Sequence, residues 1–171
     1  SKKEAAESLW SSPAFVIDQE AKGICGRPVF DYRYPNSQTL EHPWPPRDGA
    51  AMVERAQRCA IASTCDAVSG YYQISLEAEA QKILTIACSR GLLRPLVVVF
   101  GPKQAPGIMQ SLMDEVTSVE DTRGDRPGVC YIDDVHIGTE RDPQESDDSL
   151  VGCHLEHLEL VLGSCEAHGV W

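Results

Sequence analysis

Apolar and polar residues recur along the chain with two different periods, and the places where the period changes mark its elements. Residues 12–17, Ser-Pro-Ala-Phe-Val-Ile, read as a first strand and residues 29–33 as a second, while the amphipathic stretch 2–10 predicts a short helix or ordered arm. Four prolines fall between Tyr34 and Arg47, a composition that opposes regular structure and predicts a long surface loop. Asp48 can cap a helix running from Gly49 to about Cys59, with Met52, Val53 and Ala56 as its inward stripe. Residues 61–65 then form a strand, and the β-rich runs 83–88 and 96–100 suit buried strands.

Pro106 opens a helix in which Met109, Leu112, Met113 and Val116 recur at helical spacing, a core face. Two hairpin strands, 129–132 and 135–138, follow, and Leu155, Leu158, Leu162 and Cys165 line one side of a last helix. Strands and helices interleaved in this way predict an α+β domain, an antiparallel sheet backed by helices. At 171 residues the chain fits one domain that can bury a core without metal or disulfide staples, and it shows no internal repeat.

Charge narrows the picture. The net charge of −11, from 15 basic and 26 acidic residues, is the reverse of the basic footprint that phosphate neutralisation requires, so a simple nucleic-acid-binding module is disfavoured. Part of the excess lies in residues 140–148, which read as a solvated, mobile insertion. The seven cysteines, Cys25, Cys59, Cys65, Cys88, Cys130, Cys153 and Cys165, are odd in number and scattered through apolar segments, which predicts an intracellular, reducing compartment and leaves an organelle open. No stretch approaches the roughly 18 apolar residues that span a bilayer. A chain that starts at Ser1 instead of Met implies a removed leader or a fragment.

The candidate chemistry is acidic. In Tyr131-Ile132-Asp133-Asp134, two adjacent carboxylates fall at the tip of the expected hairpin, and a third, Asp66, ends the strand over 61–65. Neighbouring carboxylates repel by about 1 kcal/mol at ~4 Å in water and by about 4 at an effective dielectric of 20, a cost that a bound divalent cation would relieve. A second constellation, Cys153, His154, His157, Cys165 and His168, lies on or beside the last helix. Zinc is conceivable there, although a packed helix explains the same residues.

Four boxes occur in an order and approximate spacing that resemble reverse transcriptases, above all those of long-terminal-repeat retrotransposons and retroviruses. They are Asp66-Ala67-Val68-Ser69-Gly70-Tyr71-Tyr72-Gln73-Ile74, Phe100-Gly101-Pro102-Lys103-Gln104-Ala105-Pro106, Tyr131 to Asp134, and His154-Leu155-Glu156-His157-Leu158. Asp31-Tyr32-Arg33 and Asn36 add a match to a fingers motif. The resemblance implies a single domain over 1–171, with fingers at about 1–58 and 75–99, palm at about 59–74 and 100–171, and no thumb.

The resemblance also implies roles. Asp66, Asp133 and Asp134 would be the catalytic carboxylates and the ligands of two Mg²⁺ ions in an RNA-directed DNA polymerase acting on dNTP and an RNA/DNA primer-template. Arg27, four residues before Asp31, would grip the triphosphate, with Lys103 adding a phosphate contact. Tyr71 would lie beneath the sugar, unless it is a core aromatic, and Phe100 and Gly101 would floor the nucleotide pocket. Tyr131 and Gln110 would lie near primer and template, Gln110 being equally readable as an exposed helix residue. The chain departs from its relatives at Asp18-Gln19-Glu20, where they carry consecutive lysines, and at Pro102 and Gln104, where Leu and Asn are common. These departures, with the acidic charge, support an alternative: a degenerate or domesticated remnant that serves as a structural or interaction subunit among the proteins of a larger assembly.

Overall fold

The computed structural model describes residues 10–19, 24–40, 44 and 49–171, with the side chains of 18, 19, 24, 25 and 27 excepted. Most of the expected arm over 2–10, the proposed cap Asp48 and Glu20 lie outside the described residues. The chain folds as two compact units. The first comprises the described residues up to Leu40 with Tyr71–Ala105, and the second those from Trp44 to Gly70 with Pro106–Trp171.

In the first unit β1 (Ser12–Gln19) pairs antiparallel with β2 (Ile24–Phe30) and parallel with β4 (Ile86–Cys88), and β4 turns back into β5 (Gly91–Leu93), giving the order β2-β1-β4-β5. Its core gathers Tyr32, Ile86 and Val99, with Ala14, Phe30 and Leu84 packed against them. Burial in this core raises the Tyr32 phenol above its ordinary range, and its hydroxyl donates to the Leu84 carbonyl at 2.9 Å.

Several expectations are corrected in this unit. The second strand ends at Phe30, and helix α1 (Arg33–Gln38) occupies the start of the supposed proline loop. Pro35 is tolerated because it falls in the first turn, where an N–H has no intrahelical acceptor in any case. The expected strand over 83–88 is divided between the end of helix α3 (Ala78–Ile83) and β4. Residues 96–100 make one isolated bridge, Ser75 with Val97, instead of a strand. Val98 and Val99 are buried there without a ladder, because an apolar run reports burial and leaves backbone pairing open.

The second unit is built on an antiparallel sheet in the order β3-β7-β6, with β3 Ile61–Asp66, β6 Gly128–Tyr131 and β7 Asp134–Thr139. One face is covered by two helices, α4 (Ala105–Val116, which enters from the first unit) and α5 (Asp147–Ala167). Met109, Met113 and Val116 of α4 are wholly buried, as their spacing predicts. A side chain added at Gly128 of β6 would meet Val161 of α5 and Thr117 after α4, so both helices sit close against the strand.

Helix α2 (Gly49–Arg58) has the expected extent but buries no residue, and Val53 of the proposed inward stripe is 58% exposed. Helix α5 is also turned from its expected orientation. Its buried stripe is Leu150, His154, His157, Val161 and Ser164, whereas Leu155 and Leu162 face solvent. Hydroxyl groups on the sheet decide this: Ser63 Oγ meets His154 Nε2 at 2.9 Å, and Thr139 Oγ1 meets Nδ1 of both His154 and His157 at 2.8 Å. Polar groups paired in this way can be buried at little cost. The last residues of the acidic run form the start of α5. The Ser146 side chain accepts from the Ser149 N–H, and Asp147 and Asp148 occupy the positive end of the helix dipole. No described helix is long and apolar enough to cross a membrane.

Candidate active site

Strand register brings the acidic residues together. In the β3–β7 ladder Ile61 pairs with Thr139, Ser63 with Ile137 and Cys65 with Val135 on the helix-covered face, so Ala62, Thr64 and Asp66 share the opposite face with Gly138, His136 and Asp134. Asp66 stands directly opposite Asp134, at a Cα separation of roughly 5 Å for such a pair. Both are exposed. Near the other end of this face Cys59, just after α2, lies against Gly138. The acid-bearing end is therefore the open one.

The hairpin closes on the pair Tyr131–Asp134, leaving Ile132 and Asp133 as a two-residue loop. Ile132 has φ 59° and Asp133 does not share the positive sign, the pattern of a type II′ turn, which ordinarily takes glycine at its first central position. A β-branched residue there is strained. Two bonds hold the turn. The Asp133 carbonyl accepts from Ala67 N–H at 3.1 Å, which ties the loop to the end of β3, and the Ile132 N–H donates to Gln110 Oε1 at 2.9 Å.

Gln110 was expected near the template or exposed on its helix; it is 4% exposed. Its amide nitrogen donates to Asp114 Oδ1 at 2.8 Å and to the Cys130 carbonyl at 3.3 Å, so both ends of the side chain are engaged within the second unit. Tyr131, on the same sheet face as Asp66 and Asp134, is 46% exposed. Two carboxylates set opposite each other, with a third in the adjoining turn, are oxygen donors of the kind that suits Mg²⁺. As their side chains stand, no three His, Cys, Asp or Glu among the described residues form a metal-holding group. That holds also for the cysteines and histidines of α5, two of whose imidazoles are bound to Thr139.

The remaining candidates belong to the first unit. Phe100 packs edge-on against Tyr71 (centroids 5.0 Å apart) and Tyr72 (5.6 Å), the tyrosines lying in a 3₁₀ turn over Gly70–Gln73. Gly101 has φ 115°, and a side chain there would come within 3.1 Å of the Tyr32 ring, so only glycine fits. Asn36 clamps this loop, its Nδ2 donating to the Gly101 carbonyl at 2.9 Å while its Oδ1 accepts from the Lys103 N–H at 2.8 Å. The motif match to Asn36 was the only sequence signal of that role. Arg27 lies in β2 opposite Ile17, and its side chain is outside the described residues. Arg33 grips Asp31 through both carboxylate oxygens, at 2.8 and 2.6 Å, and these hydrogen bonds bring the Asp31 pKa down to about 2.

An α+β chain with an antiparallel sheet backed by helices and acids at one hairpin tip matches the family model described as reverse transcriptase (RNA-dependent DNA polymerase) over residues 22–170. The chain belongs to that family. It is 30% identical over 168 residues to an enzymatic polyprotein of Cauliflower mosaic virus (strain D/H), covering 96% of this chain and 23% of the polyprotein. The enzymatic polyprotein of Figwort mosaic virus (strain DxS) is 30% identical over 169 residues, with 96% and 23% covered. The chain thus spans about a quarter of the length of the curated relatives it matches. Among solved structures, it resembles the foamy viral protease-reverse transcriptase in complex with RNA/DNA hybrid, with a TM-score of 0.74 at 18% identity, covering 92% of this chain and 19% of that one. The same viral protein in complex with dsDNA gives 0.70 at 18%, covering 95% and 31%. These likenesses show the fold of reverse-transcriptase fingers and palm.

Proposed function

We propose that the chain supplies the nucleotide-adding core of an RNA-directed DNA polymerase, with the fingers carried chiefly by the first unit, the palm by the second, and Asp66, Asp133 and Asp134 as catalytic carboxylates. The observation that supports this most is the β3–β7 register, which sets Asp66 opposite Asp134 at the open end of a sheet face, beside the turn that holds Asp133. In the reaction a primer 3′-hydroxyl attacks the α-phosphorus of a dNTP, forming one P–O bond while pyrophosphate leaves. Two Mg²⁺ ions held by the three aspartates would stabilise the attacking and leaving oxygens. The chain's own contribution is position: two strand ends and a braced turn present the acids, and Tyr131 shares the face of Asp66 and Asp134. By the resemblance, the Phe100–Gly101 backbone would floor the nucleotide pocket. Arg27 and Lys103 would carry charge to the triphosphate, and Tyr71 would lie beneath the sugar.

The net charge of −11 favours a second reading, a folded subunit of a larger assembly without chemistry of its own. Primer extension on an RNA template separates the two. The polymerase reading expects Mg²⁺-dependent incorporation that Asp133→Asn abolishes. A folded chain that neither extends the primer nor binds a primer-template duplex at low salt would overturn that reading in favour of the subunit.

A further inference from the structure

Away from the acidic tip, the second unit gathers positive charge. A cavity of about 300 Å³ opens where β7 ends, at Gly138 and Thr139, and four of the chain's ten arginines line it: Arg55 and Arg58 from α2, Arg123 and Arg126 from the segment leading into β6. Among the described residues no lysine lines it, and its carboxylates are Asp125 and Glu140. Gly138 lies four residues along β7 from Asp134, roughly 13 Å at strand spacing, so the two charge centres are separate.

Ordinary surface pairing explains part of this arrangement. Arg58 is 3.4 Å from Glu140 and 3.8 Å from Glu54, Arg126 is 2.8 Å from Glu120, and Arg58 and Arg55 also complement the negative end of α2. Pairing does not explain the convergence, nor Arg55, which is half-buried and has no ion pair among the described residues. The field of Arg55 reaches the neighbouring strand: burial first, and then Arg55, push the His136 pKa down. Arg123 is aimed across the cavity wall, with Nη2 2.8 Å from Cys153 Sγ and Nε 3.8 Å from Asp121. Ion pairs between side chains as exposed as those of Arg58 and Arg126 hold weakly, so a multivalent anion can exchange for them.

We infer that this arginine-lined cavity is an anion site for a phosphate group, separate from the carboxylate site and independent of its chemistry. Planar guanidinium forks reaching one cavity from two segments suit tetrahedral phosphate oxygens better than a single carboxylate, and use of arginine alone favours bidentate contact over a point charge. The phosphate can come from free phosphate or from the backbone of a nucleic-acid strand.

The test is calorimetric titration of the chain in EDTA at low salt, first with inorganic phosphate and then with a short single-stranded DNA. Binding that weakens by at least about tenfold in the Arg55→Gln/Arg123→Gln double variant, and is unchanged in Asp66→Asn, is expected. Phosphate displaced by the oligonucleotide marks a backbone contact; phosphate bound without competition marks a free-anion site; each supports the inference. Absence of binding by either anion, or equal binding by wild type and the double variant, overturns it. A thermal melt checks that the double variant folds, and Arg55→Lys/Arg123→Lys, which keeps the charges but loses the forks, serves as the second variant with intermediate binding expected.

Discussion

Gln110 holds the strained point of the candidate site. Ile132 turns with φ 59°, and the one bond from its N–H runs to an amide whose other end is fixed by Asp114 and the Cys130 carbonyl. Gln110→Ala removes the acceptor and leaves a partly buried N–H and a carboxylate without it. A stability loss of about 2–3 kcal/mol is expected in urea denaturation, and a loss within error of zero would show that the turn holds itself. Gly101 acts in the first unit through its backbone alone. Gly101→Ala places a side chain in a conformation that disfavours it, against the Tyr32 ring, and is expected to cost roughly 1–3 kcal/mol. A thermal melt of that variant reads the cost directly.

At the scale of elements, α5 packs through imidazoles where its leucines were the more obvious stripe. The Thr139 hydroxyl has one proton, so it donates to one histidine Nδ1 and accepts from the other. Ser63 and Asp121, the latter 3.2 Å from His157 Nε2, extend the chain of polar contacts at either end. Burial, followed by the neighbouring His157, pushes the His154 pKa below its ordinary value. The unfolded chain therefore takes up this proton first, and stability is full above the ordinary histidine pKa and falls as the pH drops below it. A decline between about pH 7.5 and 5.5 is expected, with a shallower slope in His154→Gln. An identical slope in that variant would assign the decline to other groups, His136 foremost, since burial lowers its pKa as well.

At the scale of the whole molecule, 26 acidic residues against 15 basic ones mean self-repulsion in the folded state. Salt screens that repulsion, so the melting temperature is expected to rise as ionic strength goes from about 0.01 M to about 0.15 M. A fall would show that exposed pairs such as Arg33–Asp31 and Arg126–Glu120 outweigh the net charge. The same surplus makes any duplex contact depend on local basic patches, and the four arginines around the end of β7 form one such patch.

Local pattern alone settled the strand that ends at Asp66, the hairpin around Asp133 and Asp134 and the methionine-lined face of α4, because each is written in contiguous residues at a regular period, while the family was legible only through the resemblance of four ordered motifs. It could not tell which stripe of α5 faces inward. Both stripes recur at helical spacing, and the choice rests on Ser63 and Thr139, hydroxyls delivered by strands from distant parts of the chain. Nor could it tell that Gln110 is buried, that Val53 is not, or that residues 96–100 lie apart from any sheet. Sequence placed three acids near strand ends; tertiary structure alone set two of them opposite each other, because cross-strand register comes from the pairing of β3 with β7 and has no local signature.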